Sequence, residues 1–261
     1  MPIHVCFIRA LLYRQCNISH TAWNTFLFIC IFKGDENGGT LALAVALNMS
    51  KEYEGKPTDW RIRLVGSFYA PLQIFNFNLP SYLHYMDGPG ILHTSDVIRS
   101  NIYHLFGQTN VTMANLMSEN LHTSVTMKSS ETAELLDINL IPFSFRSYKP
   151  PDWMGGAENS QLASLLNETV LDYRLSPMLA SEQDLKLMPA TYFIAPEFDP
   201  LRDESFMFYG HLRELEMSQT SHEYYRSEQH GFLLDHTTNE MASTALSDFV
   251  KYFQKVCTYK H

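Results

Sequence analysis

The chain has 261 residues, enough for one large domain or two smaller ones. At 45% hydrophobic and 18% charged it is too apolar for a disordered chain, and 17 Phe with 14 Tyr supply a sizeable core. A net charge of −9 with no Lys/Arg cluster excludes the basic face of a nucleic-acid binder, and no run of about 18 apolar residues is present to span a bilayer.

Residues 1–25 read as an atypical N-terminal segment. The apolar stretch Met1–Arg14 is broken by Arg9 and offers no small-residue cleavage site, so neither a signal peptide nor an anchor is expected there. Cys6, Cys16, Cys30 and Cys257 form no C-x-x-C pair, and the histidines show no H-E-x-x-H spacing, so no metal and no cofactor is expected. N-x-[ST] sequons at Asn17, Asn48, Asn110 and Asn167 leave a luminal location open.

Thr25–Phe32 is a continuous apolar run of β-branched and aromatic residues, too short for a helix, and it ends at Gly34; a strand buried on both faces is expected. Gly38–Met49 places Leu41, Val45 and Asn48/Met49 on one helical face. Arg61–Ser67 is a second strand, closed by Pro71. Strand, Gly-flanked turn, helix and strand make a βαβ crossover, which implies a parallel sheet. Farther on, Ser95–Phe106 has Val97, Ile98, Ile102 and Leu105 on one side, with Thr94 or Ser95 as its cap. Gln108–Gln161 is rich in Ser, Thr, Asn, Met and Pro with weak periodicity and is expected to be a surface excursion or lid. Alternation then returns: a strand at Thr191–Ala195, a helix at Glu204–Met217, a short strand at Thr220–Arg226 and a closing helix at Glu240–Val256. The fold class is therefore α/β, an open and mostly parallel sheet.

In such sheets chemistry gathers at the carboxyl ends of the strands. Three strand ends carry notable residues here: Gly34-Asp35-Glu36-Asn37-Gly38-Gly39, Asp199-Pro200-Leu201-Arg202-Asp203-Glu204, and His230-Gly231-Phe232. Each also has a structural explanation. The glycines serve a tight strand-to-helix turn, Asp199 suits Asp-Pro turn chemistry, and Asp203 and Glu204 suit a helix N-terminus.

Taken together with Leu175-Ser176-Pro177 and Met188-Pro189-Ala190-Thr191-Tyr192, these strings resemble the hormone-sensitive-lipase-like branch of the α/β hydrolases, nearest to the arylacetamide deacetylase-like esterases. The resemblance runs from about Phe26 to the C-terminus. It implies one domain over residues 26–261, an open sheet with helices on both faces, and a lid-like insertion within residues 72–188. It also implies a serine esterase that needs no cofactor. In that family the elbow is Gly-Asp-Ser-Ala-Gly-Gly, a later His is the base, and an Asp orients the His. By position Asp199 is the orienting acid, His230 the base, and Glu36 stands where the family has its nucleophilic serine.

The family's glycine-rich oxyanion loop has no counterpart in Met1–Lys33, which reads as a chain lacking the early strands and leaves the backbone N–H of Asn37 as the remaining oxyanion donor. The expectation is a carboxylic-ester-hydrolase relative that is inactive or weak, with a small apolar ester or acyl compound as its ligand. The alternative is a non-catalytic protein that binds a hydrophobic ligand in the former acyl pocket. Glu36 could itself attack only an sp³ carbon; attack on an ester carbonyl would give an anhydride. With two carboxylates flanking one imidazole, His230 is expected to be held as imidazolium. A flat strand edge left uncovered near residue 26 would favour self-association unless Ile3–Ala10 covers it. The family implies the endoplasmic reticulum, reached through an N-terminal anchor that this segment does not display.

Overall fold

The computed structural model describes residues 11–14, 28–54, 60–86, 90–146 and 154–258. Ile3–Ala10 and Thr25–Leu27 lie outside these residues. Five strands form one sheet in the order β1 (Leu11–Arg14), β2 (Phe28–Asp35), β3 (Trp60–Phe68), β4 (Ala190–Phe198), β5 (Thr220–Gln229). β2 to β5 are mutually parallel, and β1 runs antiparallel against Phe28–Ile31 of β2. Thus the outer edge of β2 is covered at its start by a strand that hydrophobic patterning alone did not single out.

Helix α1 (Asn37–Glu52) links β2 to β3. Its buried face is Ala42, Leu43, Ala46 and Leu47; of the face expected from spacing, Val45 and Met49 pack partly against the core, whereas Leu41 is 47% exposed and Asn48 is exposed. The run from Thr40 to Met49 is apolar almost all round, so its period does not choose a face. Close approach does: a Cβ at Gly39 would lie 2.7 Å from Ala70 Cβ, so the helix presents its small residues to the sheet.

The sheet is covered on both faces. On one side Val65 and Phe193 join α1 and α9 (Arg202–Glu214) in the larger core; on the other Leu64, Phe68, Tyr192 and Ile194 pack beneath α10 (Glu240–Thr258). Alternate residues of β3 and β4 thus serve opposite layers, the signature of a central strand buried on both faces. No helix among the described residues is long and apolar enough to cross a membrane.

Between β3 and β4 come α2 (Pro80–His84), α3 (Thr94–Phe106), α4 (Val111–Ser118), α5 (Val125–Lys128), α6 (Glu131–Glu134), α7 (Ser160–Leu171) and α8 (Glu182–Leu185). Helix α3 buries Val97, Ile98 and Ile102 as its period requires, but its cap is His93, paired with Asp96 in a capping box, while Thr94 donates to Tyr82 O at 2.7 Å. Among the described residues of 108–161, the chain is not confined to the surface. Met117, Leu136, Ile138 and Ile141 from this stretch are buried in the larger core. Helices of four to eight residues are too short to display a 3.6-residue period, which is why the sequence there reads as featureless.

Residues 71–77 are buried without belonging to a helix or strand, so their backbone groups need other partners. Side chains supply them. Leu72 N–H donates to Glu204, Ile74 N–H to Ser176 Oγ, and Phe77 N–H to Asn120 Oδ1, while His122 Nε2 donates to Ile74 O and Thr123 Oγ1 to Phe75 O. Gln73 Oε1 accepts from both Phe75 and Asn76 N–H. Polar residues scattered over a hundred positions thereby replace a sheet ladder.

Candidate active site

The β2–α1 turn is a tight elbow. Glu36 takes φ 49°, a strained conformation for a residue with a side chain, and its N–H donates to Phe68 O at 3.1 Å. Its carbonyl accepts from Gly39 N–H at 2.9 Å and so starts α1. Gly34 has no room for a side chain: a Cβ there would lie 2.1 Å from the Gly38 carbonyl carbon and oxygen, which are backbone atoms unable to yield. Gly34→Ala is therefore expected to cost on the order of 3 kcal/mol or more, read as a lowered midpoint in chemical denaturation. A wild-type midpoint would contradict the elbow as described.

Strain at Glu36 lifts its side chain to the carboxyl edge of the sheet, where two other strand ends converge. Glu36 Oε1 lies 2.8 Å from His230 Nε2, and His230 Nδ1 lies 2.9 Å from Asp199 Oδ2. The Glu36 side chain is 21% exposed, that of His230 4% and that of Asp199 0%. Asp199 Oδ1 accepts from Leu201 N–H at 2.8 Å, so the Asp-Pro turn and the bond to His230 use different oxygens of one carboxylate. His230 N–H donates to Phe198 O, and Gly231 follows at φ 78° to begin a 3-10 turn over Phe232–Asp235. The ring of Tyr69, itself at φ 37°, meets the imidazole edge-on with centroids 4.9 Å apart.

The proton count follows from this geometry. With both carboxylates ionised, each accepts from the imidazole nitrogen it faces, which makes both nitrogens donors and favours the cationic ring. Burial works against that charge, but the charge and hydrogen bond of Asp199, joined by those of Glu36, push the His230 pKa up to about 10. Asp35 beside it is half-buried, and burial raises its pKa against its own backbone hydrogen bond and the opposing charges of Lys33 and His230. Desolvation, with the negative charges of Asp35, Glu36 and Asp199, keeps the Tyr69 phenol protonated.

Asn37, the other residue singled out, is the first of α1, where an amide has no intrahelical acceptor. Its side-chain Nδ2 donates to His104 Nε2 at 3.0 Å and lies 3.5 Å from Ser100 Oγ, which ties the elbow to α3. Two clefts, one along α7 with Ser124 and Glu158 and one formed by Ile62, Arg63, Met188 and Gln219, include none of Glu36, Asn37, Asp199 or His230.

Sequence reasoning missed the partners of Asp203 and Glu204. Both are fully buried rather than displayed at a helix start. Asp203 Oδ1 accepts from Arg202 Nε at 2.9 Å, and the Arg202 guanidinium lies 4.0 Å over the Phe145 ring. Glu204 accepts from Leu72 N–H, Gln73 Nε2 and the Tyr82 hydroxyl, and burial lifts its pKa to about 7 against these donors. Two acids after Leu201-Arg202 were visible in the string; their burial was not.

A family model described as the α/β hydrolase fold matches residues 150–234. Neutral cholesterol ester hydrolase 1 of Pongo abelii is 32% identical over 183 residues, covering 69% of this chain and 42% of that protein. Arylacetamide deacetylase of Bos taurus is 29% identical over 204 residues, covering 77% of this chain and 48% of that protein. The chain thus spans less than half the length of these curated relatives. Among solved structures, a hyperthermophilic esterase from the archaeon Pyrobaculum calidifontis superposes with a TM-score of 0.53 at 17% identity, over 88% of this chain and 53% of that one.

Proposed function

As an α/β-hydrolase-fold protein of the hormone-sensitive-lipase-like branch, the chain is a carboxylic-ester-hydrolase-like member of that family, and we propose that Glu36 blocks its ester chemistry. Ester hydrolysis by this constellation needs a nucleophile that attacks a carbonyl and a neutral imidazole that takes its proton. Here the elbow carries a carboxylate, whose attack on an ester carbonyl leads to an anhydride. The imidazole beside it is already protonated. Losing the nucleophile alone cost on the order of 10⁶ in kcat where a serine protease was tested. The observation that carries the reading is the 2.8 Å contact of Glu36 Oε1 with His230 Nε2, which occupies the nitrogen a serine would use. Apolar acyl esters are the substrate class the scaffold would take if the block were lifted.

The purified wild-type chain is expected to hydrolyse a short p-nitrophenyl ester no faster than buffer at pH 7.5 and to remain unlabelled by a serine-directed fluorophosphonate probe. Turnover by the wild type that disappears in His230→Ala would overturn the reading.

A further inference from the structure

The turn that carries Asp199 is gripped from outside by α2. Ser81 N–H donates to Asp203 Oδ2 at 2.7 Å, the Ser81 hydroxyl donates to Pro200 O at 2.7 Å, and the Tyr82 hydroxyl donates to Glu204 Oε1 at 2.6 Å. Ser81, Tyr82, Asp203 and Glu204 are all fully buried. Two neighbours on one short helix therefore meet two neighbours at the start of another, in register, and the Ser81 hydroxyl lands on the carbonyl next to Asp199.

We propose that Ser81, assisted by Tyr82, is the positioning residue for Asp199, holding the Pro200 peptide so that the carboxylate faces His230. Both Asp199 oxygens are already directed, one at Leu201 N–H and one at His230. The freedom that remains is movement of the turn as a body, and Ser81 acts on its backbone. Apolar contact would hold α2 against α9 without the cost of burying two carboxylates, and burial raises the pKa of both Asp203 and Glu204. Directional bonds fix what apolar contact leaves loose: the rotation of a single turn. A catalytic acid aimed from a loop requires such support.

This inference rests on the reading of the site given above only for its kinetic arm. Ser81→Ala removes one hydroxyl and keeps the N–H bond to Asp203. By NMR titration of the imidazole, the folded variant is expected to lower the His230 pKa by roughly one unit, and Ser81→Thr, which restores a hydroxyl, is expected to return it. In a Glu36→Ser background the same change is expected to lower kcat about 10-fold with KM unchanged. A folded Ser81→Ala with wild-type His230 titration overturns the proposal. Should Ser81→Ala not fold, Tyr82→Phe decides instead: a shift of the same sign supports the proposal, and none overturns it. Absence of activity in Glu36→Ser counts against the reading of the site, while the titration still decides the role of Ser81.

Discussion

Glu36→Ser is expected to gain ester hydrolysis, by about 10³-fold or more over the wild type, and to be labelled by a fluorophosphonate that leaves the wild type untouched. The scaffold for a nucleophile is present. The elbow takes its strained φ of 49°, Gly34 and Gly39 leave room for the turn, and the His230–Asp199 bond at 2.9 Å orients the base. The substitution removes both faults at once. It installs a hydroxyl that attacks carbonyls, and it takes away one of the two carboxylates that hold the proton on His230. The His230 pKa should then fall from about 10, so the rate should rise with pH through a lower value than the wild-type ring would allow. The serine oxygen lies two bonds nearer the backbone than the carboxylate oxygen, so His230 must swing toward the elbow. The Asn37 amide at the start of α1 is expected to serve as an oxyanion donor, and one such donor is worth about 10²–10³ in rate. A folded Glu36→Ser that neither hydrolyses nor labels would sink the idea that only the nucleophile is wrong.

His230→Ala should be among the most destabilising single substitutions, by about 3–5 kcal/mol, because it leaves Asp199 and Glu36 without their shared cation. Asp199 is 0% exposed, and among the described residues its carboxylate meets His230 and the Leu201 N–H, so its charge cannot be returned to water. Glu36→Gln, which keeps size and removes charge, should cost far less. The pH dependence carries the same signature. The folded-state pKa of His230 is raised, so its stabilisation is fully present below the unfolded value of about 6.5 and is lost as pH rises toward about 10. Thermal melts of the wild type between these limits should therefore fall with pH, and those of His230→Ala should lose that slope. Parallel curves for the two proteins would mean that the imidazole carries no such charge.

The chemistry-bearing strings were legible because they are local. Gly34 to Gly39 announces a turn by its glycines, Asp199-Pro200 announces another, and β4 announces itself as an unbroken buried run from Ala190 to Pro196. Steric limits on the backbone act between near neighbours, so they leave marks in consecutive letters. The same holds for α3, whose apolar residues recur at helical spacing over 13 positions. Helices α4, α5 and α6 escaped notice because each spans eight residues or fewer, and β1 because four residues show no periodicity.

Other features exist only once distant residues are brought together. Sequence alone placed an acid at the elbow and, with the resemblance, paired Asp199 with His230. Tertiary structure decided that Glu36 reaches His230 Nε2, that Asp203 and Glu204 are sealed under Ser81 and Tyr82, and which side of α1 meets the sheet. Hydrogen-bond partners, desolvation and close packing depend on neighbours in space, and two of these contacts join residues 122 positions apart while a third spans 194. The charge state of a buried imidazole is set by that enclosure. The letters His-Gly-Phe are the same whether the ring is a base or a spent cation.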